Sequence, residues 1–407
     1  MNKNVPKLRF KGFEDEWKEK KLSSICIINQ GLQIAISDRY TEYKDGRYFY
    51  ITNEFLKDNS EKKYYIENPV ESVKCTEEDI LMTRTGNTGK VVTNVSGAFH
   101  NNFFKINYDK EKINKNFLCE ILTCFKTQKN ILRLAGTSTI PDLNHSDFYS
   151  IRINLPSLEE QTKIANFLSN VDKIIEEQEG KVKDLELYKK GMMQKIFKQE
   201  IRFKDDNGQD YPKWEEKKLG VLGSTYTGLS GKTKEDFGFG KGRYITYMNV
   251  FKNIRTDIRM IDLVDIKENE NQNTVLKGDL LFTTSSETPQ EVGMVSVCDN
   301  DIKGLYLNSF CFGFRFNELS NVNSYFMASY LRSPEIRMKI SILAQGSTRY
   351  NLSKTELMKI KLLIPCLAEQ TKIDNLLSNI DKIIKEENKK LEDLRQWKKG
   401  LLQQMFV

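Results

Sequence analysis

The sequence lacks the residues from which most enzymes build an active site. It has two histidines, His100 and His145, and its seven cysteines form no Cys-x-x-Cys pair, so no zinc site of normal spacing can be assembled. The eight prolines are never adjacent, which removes the Asn/Asp-Pro-Pro-aromatic motif of amino-methyltransferases. The Gly-Lys-Thr triplet at 231–233 resembles the end of a phosphate-binding P-loop. Such a loop requires its first glycine at position 226, where this sequence has tyrosine. We therefore expect no catalytic residue, no bound metal and no cofactor in this chain.

Long apolar runs and targeting signals are also missing. No apolar stretch approaches the length of a membrane span, and residues 1–6 lack the apolar segment of a signal peptide. The cysteines follow no disulfide framework and are typical of reduced, mostly buried thiols in a cytosolic protein. We expect a cytoplasmic protein that does not act at a membrane.

The charge balance is basic but modest. Lysine and arginine total 63 against 56 acidic residues, a formal net charge of +7. Residues 157–199 contain eight acids and eight bases, and residues 366–407 seven acids and eight bases. The positive excess therefore lies in the other segments. It favours a polyanionic partner, although solubility alone explains a charge of this size equally well.

An internal repeat is the strongest feature of the sequence. The run Glu-Gln-Thr-Lys-Ile at 160–164 returns at 369–373, and the eight residues 168–175 return at 377–384 with one change, always 209 positions later. A long repeat in a chain of this length predicts two copies of one unit. The predicted segments are a globular domain at 1–156, a helical arm at 157–199, a second globular domain at 200–365 and a second arm at 366–407.

Both arms have the apolar spacing of three and four residues that is typical of a helix with one buried stripe. Gly180 is replaced by lysine, an ordinary helix former, at the equivalent position 389, so we expect each arm to be continuous. We expect the arms to pack against each other through this stripe, which leaves their other flanks as candidate docking surfaces. The packing and docking positions are Ile164, Phe167, Val171, Ile174, Leu185, Ile373, Leu376, Ile380, Ile383, Leu394 and Trp397.

The segments before the arms contain short β-type runs broken by glycine, asparagine and aspartate, with one helical stretch predicted at 117–134. The resulting fold class is α+β. It consists of two mixed, strand-rich domains separated by two long helices that pack as an antiparallel coiled coil, with an internal pseudo-two-fold repeat.

Two loops of the first domain are candidate ligand contacts. Residues 84–90, Arg-Thr-Gly-Asn-Thr-Gly-Lys, could place amides and cations on phosphates or base edges, although a simple hairpin turn also explains them. Residues 136–144 fit either a contact loop or a polar connector with a helix cap. In the second domain the preceding strand recurs but the loop residues differ, which indicates two modules that read different ligands. The candidate DNA contacts are Arg84, Thr85, Asn87, Thr88, Lys90, Ser138, Thr139 and Asn144, then Ser285, Ser286, Gln290, Ser347, Thr348, Arg349, Tyr350 and Asn351.

The order of domain, helix, domain and helix, with Leu/Ile-Pro-x-Leu-x-Glu-Gln at 155–161 and 364–370, resembles the specificity subunit of type I restriction-modification enzymes. Residues 79–90 are similar to that family's target-recognition domains, whereas 284–290 depart from the glycine-rich pattern. The resemblance implies that each domain reads one half of a double-stranded DNA target. It also implies two copies of an adenine-methylating modification subunit that binds S-adenosylmethionine, and restriction and translocase subunits that use ATP and magnesium.

Arm length fits such a target. A helix of about 40 residues is about 60 Å long, and B-DNA repeats about every 34–36 Å. Domains held apart by such helices would leave unread base pairs between two half-sites, and different loops would make the half-sites different. Two other functions stay open at this stage: a self-sufficient DNA methyltransferase or nuclease, and a coiled-coil scaffold without a role in DNA binding.

Overall fold

The computed structural model describes residues 4–57, 60, 62–136, 139–317 and 321–406. The chain folds into two compact units, each of which combines strands and helices as predicted. The first unit contains Met1–Gly180 and Asn388–Val407, and the second contains Lys181–Glu387. The unit boundary falls inside both long helices, so each helix belongs in part to the first unit and in part to the second.

The first unit places three antiparallel or mixed sheets beside three short helices. Its elements are β1 (Lys18–Lys21), β2 (Cys26–Gln30), β3 (Arg47–Ile51), β4 (Tyr65–Glu67), β5 (Lys74–Cys75), β6 (Ile80–Thr83), β7 (Val91–Val92), β8 (Gly97–Phe99), β9 (Phe103–Tyr108), α1 (Lys115–Thr123), α2 (Phe125–Ala135), α3 (His145–Ser150), β10 (Arg152–Leu155) and α4 (Leu158–Phe197). The sheet orders are β2-β9-β6-β7, β4-β3-β8-β5 and β1-β10. Strand β6, which leads into the loop 84–90, is buried along its whole length and pairs with β9.

The second unit repeats this plan with a longer first half. Its elements are β11 (Glu215–Lys218), α5 (Leu219–Leu222), β12 (Gly223–Thr227), β13 (Phe237–Ile245), α6 (Tyr247–Lys252), β14 (Ile261–Val264), β15 (Leu280–Thr283), β16 (Ser285–Ser286), β17 (Val295–Val297), β18 (Leu305–Leu307), β19 (Cys311–Phe316), α7 (Ser324–Leu331), α8 (Pro334–Ile342), β20 (Ala344–Gln345), β21 (Tyr350–Leu352), α9 (Lys354–Met358), β22 (Lys361–Ile364) and α10 (Leu367–Met405). The sheet order β12-β19-β15-β17 corresponds to β2-β9-β6-β7, and β11-β22 corresponds to β1-β10. Each unit therefore has an equivalent sheet of its own. The loop at 84 emerges from the sheet of the first unit, and the loop at 284 from that of the second.

The Glu-Gln pair that opens each long helix is buried, and it ties the helix to its own unit. Glu160 accepts from Arg9 Nε and Nη2 at 2.7 and 2.8 Å and from Trp17 Nε1 at 3.3 Å. Gln161 accepts from Asn114 N at 3.0 Å, at the start of α1. Because buried polar groups need such partners, this motif fixes where the helix leaves the domain.

The second unit makes the same contacts with the equivalent residues. Glu369 accepts from Arg202 Nη2 at 2.7 Å and from Trp214 Nε1 at 3.1 Å, and Gln370 accepts from Asn323 N at 2.8 Å. The repeated sequence motif therefore has a structural role that is the same in both copies.

The two long helices pack antiparallel within each unit. In the first unit Lys398 pairs with Asp172 at 2.6 Å and Arg395 with Glu179 at 2.6 Å, so residue numbers rise along one helix as they fall along the other. In the second unit Lys189 pairs with Asp381, and Lys181 with Glu387 at 3.1 Å. Helix α4 is continuous through Gly180, as predicted.

The buried stripe of the long helices differs from the predicted one. Ile174 and Ile383 are exposed, at 46 % and 45 %, and Trp397 is exposed at 46 %. In the first unit the stripe passes instead through Leu168 and Ile175, because the helix presents the fourth residue after Val171 to the core and not the third. Of the other predicted positions, Ile164, Val171, Ile373 and Ile380 are buried, and Phe167, Leu185, Leu376 and Leu394 are half-buried.

The helix predicted at 117–134 is two helices. Cys124, between α1 and α2, has the extended angles φ −62° and ψ 150°. This break lets α2 bury Thr127, Ile131 and Ala135 in a direction that a straight helix would not reach. Apolar spacing does not reveal such a break, because both helices carry apolar residues at helical intervals.

Residues near both ends of the sequence complete the first core. Leu8 N donates to Gln404 O at 3.0 Å. The Phe406 ring lies 6.3 Å from the Trp17 ring and 5.5 Å from the Phe117 ring, centroid to centroid. The last turns of α10 are thus part of the first unit.

Candidate nucleic-acid interface

The loop at 84–90 is a closed turn at the end of β6. Thr83 N donates to Lys90 O at 3.0 Å, and Lys90 N donates to Thr83 Oγ1 at 2.9 Å. The Thr83 hydroxyl donates to Asn87 O at 2.6 Å. These bonds hold the loop ends together and leave the side chains of Asn87 and Lys90 exposed. A turn and a contact loop are therefore compatible descriptions of the same segment.

Gly89 fits this turn for two reasons. Its φ of +88° is in the left-handed region, and a Cβ there would lie 2.9 Å from Ile131 Cγ2 on α2. Gln128 Nε2 donates to Gly89 O at 2.8 Å and fixes the same close approach. The helix behind the loop thus sets the position of the loop.

The two candidate loops of the first unit meet side by side. Leu143 N donates to Arg84 O at 2.9 Å, and Thr88 Oγ1 donates to Pro141 O at 2.7 Å. Arg84 donates to both carboxylate oxygens of Asp142, from Nε at 3.0 Å and from Nη2 at 2.6 Å, and the Thr85 hydroxyl also donates to Asp142. Residues 57 positions apart therefore form one surface.

Asp142 is charged in this arrangement. The hydrogen bonds from Arg84 lower the pKa of Asp142 below its ordinary value, because they favour the carboxylate over the acid. At neutral pH the contact is an ion pair with no net charge.

The second unit joins its loops in the same way. Leu352 N donates to Thr284 O at 2.9 Å, which matches the bond from Leu143 to Arg84. Strand β16 pairs with β21, placing Ser285 opposite Asn351. Arg349 Nε donates to Ser285 Oγ at 3.1 Å across this junction. Each unit therefore has a backbone hydrogen bond that joins its two loops, and the place where the loops meet is called the junction. The side chains at the two junctions differ.

A recess opens beside the junction of the second unit. The Tyr247 and Phe251 rings stack at 5.9 Å on α6, and the Tyr247 hydroxyl donates to Ser285 O at 2.7 Å. Glu291 accepts from Thr288 Oγ1 at 2.7 Å. The recess is lined by Tyr247, Met248, Phe251, Ser285, Ser286, Glu287, Glu291, Thr348 and Arg349. It offers an aromatic wall, two carboxylates and one guanidinium to a ligand.

The family model for the type I restriction modification DNA specificity domain matches residues 14–187 and again residues 211–396. The chain belongs to this family. The two matches cover most of both units and include all four loops that form the two junctions.

Two curated specificity subunits of Methanocaldococcus jannaschii are similar to the chain. The type I restriction enzyme MjaVIII specificity subunit is 24% identical over 408 residues, which cover 95% of this chain and 91% of that protein. The putative type I restriction enzyme MjaX specificity subunit is 27% identical over 320 residues, 74% of this chain and 69% of that protein.

Two solved structures share the fold. The type I restriction-modification S subunit from M. genitalium superposes with a TM-score of 0.56 at 17% identity, covering 99% of both chains. A chain from a structure of complex assembly and conformational transition of the type I R-M system gives 0.58 at 17% identity, covering 96% of this chain and 97% of that chain. These likenesses confirm the predicted two-domain fold with its internal repeat.

Most predicted contact residues of the two specificity domains are accessible at the junctions. Arg84, Thr85 and Tyr350 are half-buried, and Ser138 lies outside the described residues. The exposed members are Asn87, Lys90, Thr139, Asn144, Gln290, Ser347, Thr348, Arg349 and Asn351.

Four predicted contacts are buried or hydrogen-bonded within their own specificity domain. Thr88, Ser285 and Ser286 are buried, with Thr88 bonded to backbone carbonyls. Asn144 caps α3 by accepting from Asp147 N at 2.8 Å, as the connector interpretation of that loop predicts. The sequence marks these residues as polar loop positions, and that pattern does not separate a side chain facing inward from one facing solvent.

Sequence reasoning also missed residues that the specificity domains bring to the junctions. Asp142 stands within a loop that was predicted, but nothing in the sequence pairs it with Arg84. Asn53 donates from Nδ2 to Thr85 O at 3.0 Å from a segment 32 residues away. Tyr247 and Glu287 line the recess of the second unit. These contacts arise from the sheet topology, which brings distant turns to one place.

Among the described residues, no group of three or more His, Cys, Asp or Glu side chains is placed to hold a metal ion. Over the same ranges, no helix combines the length and apolar character needed to cross a bilayer.

Proposed function

We propose that this specificity subunit reads a bipartite, asymmetric target in double-stranded DNA, with an unread spacer between its halves. The observation that carries the proposal is the repeated junction: Leu143 bonded to Arg84 and Leu352 bonded to Thr284. Equivalent backbone frames that present different side chains suit two half-sites of different sequence. Loop side chains that differ in charge and shape give different base preferences.

The residues assigned to DNA are the exposed or half-buried side chains at each junction that do not cap a helix. In the first unit these are Arg84, Thr85, Asn87, Lys90 and Thr139. In the second unit they are Gln290, Ser347, Thr348, Arg349, Tyr350 and Asn351, together with Tyr247 and Glu287 of the recess. A carboxylate accepts from the amino group of cytosine or adenine, whereas a cation donates to guanine or phosphate. The recess therefore adds an aromatic wall and two carboxylates to the side chains that the second unit presents.

We assign the exposed apolar side chains of the long helices to two copies of a modification subunit. The first unit exposes Ile174 and Trp397, and the second exposes Ile383 and Tyr188, which occupy the equivalent positions 209 residues apart. Large apolar and aromatic side chains left exposed on a helix are typical of a protein interface. Two equivalent patches suit two copies of one partner.

The chemistry of the complex is assigned to its partners. We propose that the modification subunits bind S-adenosylmethionine and methylate adenine, and that restriction and translocase subunits use ATP and magnesium. The present chain would then supply target choice without catalysis, in the cytoplasm where DNA is accessible. The comparisons give no support to a self-sufficient methyltransferase or nuclease, or to a scaffold without a role in DNA binding.

Methylome sequencing tests this proposal. Cells that carry the chain and its modification subunit should methylate adenines in one gapped, asymmetric motif, and cells that carry the modification subunit alone should lack that motif. A continuous or palindromic motif would contradict the bipartite reading. Methyl transfer by the purified chain alone would contradict the non-catalytic role.

A further inference from the structure

The Arg84 guanidinium is held by one of its two donor edges. Its Nε and Nη2 atoms donate to the two oxygens of Asp142 at 3.0 and 2.6 Å. A guanidinium has five N–H donors in a rigid plane. The edge formed by Nη1 and the second hydrogen of Nη2 has no acceptor among the described residues. One pair of parallel donors therefore has no partner in the part of the chain that the structure describes, while the other pair fixes the plane.

The surroundings of Arg84 restrict it further. Its guanidinium carbon lies 5.8 Å from the centroid of the Phe104 ring, which is fully buried. Asp142 is held in turn by the Thr85 hydroxyl, and residues 84 and 143 are joined by a backbone hydrogen bond. The side chain of Arg84 is 20 % exposed, so it is mostly covered but still reaches solvent. Such preorganisation lowers the entropy lost on binding.

The ion pair also decides which acceptor suits this edge. Phosphate attracts a cation mainly through its net charge, and Asp142 cancels the charge of Arg84 at close range. The major-groove edge of guanine carries two neutral acceptors, O6 and N7, whose spacing matches a pair of parallel N–H donors. Adenine presents an amino donor in place of O6, which repels the same edge. The geometry thus favours guanine over both phosphate and adenine.

We propose that Arg84 reads a guanine in the half-site of the first unit through its Nη1 and Nη2 edge, with Asp142 as its positioning residue. This inference rests on the proposed DNA-reading function and deepens it by naming a base.

The test uses the full chain with its modification subunit and duplexes that carry every single base-pair change of the methylome-defined target. Arg84→Lys keeps the charge but removes the pair of parallel donors. At one G·C pair of one half-site, we expect discrimination to fall by about fivefold to 150-fold, the range of one bidentate contact. Discrimination at the other positions and the dependence of binding on salt should not change.

Asp142→Asn provides a second, independent reading. It removes the carboxylate charge but keeps the side-chain size, so Arg84 becomes both less oriented and a net cation. We expect weaker discrimination at the same G·C pair, tighter binding to unrelated duplexes and a salt dependence steeper by about 0.9 in the log–log slope. A merely structural Asp142 would not change the salt slope in this direction.

Arg152→Lys is the matched control. Arg152 also pairs with a carboxylate, that of Glu19 at 2.5 Å, but the pair is exposed on β10 and β1 and away from both loops in the sheet order. Base preference and salt dependence should equal those of the unsubstituted complex.

Three results would overturn the inference. The first is an equal loss for all duplexes with Arg84→Lys, which indicates a phosphate contact. The second is unchanged discrimination with both Arg84→Lys and Asp142→Asn, and the third is a target without a G·C pair in either half. If Arg84→Lys fails to fold, as judged by thermal unfolding, Asp142→Asn alone decides. An unsubstituted complex that selects no sequence would instead refute the proposed function.

Discussion

Each junction contains an arginine, but the two units supply it from opposite loops. In the first unit Arg84 lies in the loop after β6, and its hydrogen-bond acceptor, Asp142, lies in the loop before α3. In the second unit Arg349 lies in the later loop, and its acceptor, Ser285, follows β15. Each lies near an aromatic ring, Phe104 at 5.8 Å and Phe310 at 5.2 Å. The backbone frame thus persists while the source and charge of its side chains change.

The contrast shows where the two units can and cannot differ. The buried Glu-Gln pair has the same kinds of partner in both units, an arginine and a tryptophan for the glutamate and a backbone amide for the glutamine, because buried polar groups need hydrogen-bond partners. The loops face solvent, where substitution costs little stability and changes what is recognised. The predictions below compare equivalent positions in the two units, starting with the largest expected effect.

Loss of the buried carboxylate should destabilise both units about equally. Glu160→Ala removes the carboxylate that pairs with Arg9 and accepts from Trp17, and Glu369→Ala does the same to Arg202 and Trp214. We expect each change to lower the free energy of unfolding by about 3–5 kcal/mol, measured by urea denaturation with tryptophan fluorescence. Glu19→Ala, at an exposed ion pair, should change it by less than about 1 kcal/mol. Very different losses for Glu160 and Glu369 would break the equivalence of the two units.

The glycines that end the two loops should tolerate alanine unequally. A Cβ at Gly89 would lie 2.9 Å from Ile131, and one at Gly293 would lie 2.5 Å from Leu352 and 3.1 Å from Ile340, with positive φ at both glycines. We expect a loss of about 2 kcal/mol for Gly89→Ala and more for Gly293→Ala, in the same denaturation assay. Gly180→Ala is the control, since nothing lies within 4 Å of its Cβ position and alanine favours a helix by about 0.5–1 kcal/mol. A larger loss at Gly89 than at Gly293 would be inconsistent with this packing.

The equivalent exposed aromatics should each affect one of two partner subunits. Trp397→Ala and Tyr188→Ala should each weaken one docking contact by about 1 kcal/mol or more, because exposed aromatics often anchor interfaces. Native mass spectrometry should then detect complexes with one modification subunit beside those with two. Arg152→Ala, at a surface ion pair on the first unit's β10, is the control and should leave two bound. Unchanged occupancy with both aromatic variants would exclude this surface.

The two arginines should differ in how they depend on salt. Ser285 is neutral, and no ion pair joins Arg349 to an acidic side chain among the described residues, so Arg349 should contribute to the attraction of phosphate. Arg349→Lys should therefore leave the salt slope unchanged, whereas Arg349→Ala should reduce it by about 0.9 and weaken binding to all duplexes by a similar factor. Relaxed preference at one base pair without a change of slope would mean that Arg349 acts as Arg84 is proposed to act.

The repeat made the architecture predictable. A gapless offset of 209 residues identifies equivalent helices, and the lysine opposite Gly180 predicts that the helix continues. Local spacing does not decide between Ile174 and Ile175, because both follow Val171 at a helical interval. That choice depends on the partner helix, which single-helix periodicity does not describe.

The candidate contact surface was predictable as loops but not as contacts. Composition identifies 84–90 and 136–144 as polar segments, and the change of residues in the second copy indicates different ligands. The bond between Arg84 and Asp142 depends on strand order, which brings together residues 58 positions apart. The inward direction of Thr88 depends on the carbonyls of Arg84 and Pro141, which are set by the same topology.

The contribution of α10 to the first core has a consequence for synthesis on the ribosome. Residues 181–387 are contiguous, so the second unit has all its parts once they have emerged. The first unit waits for Gln404 to meet Leu8 and for Phe406 to reach Trp17, although its own domain is translated first. The first domain therefore completes its core after the second domain has been translated, and until then it exposes the apolar surface that α10 later covers.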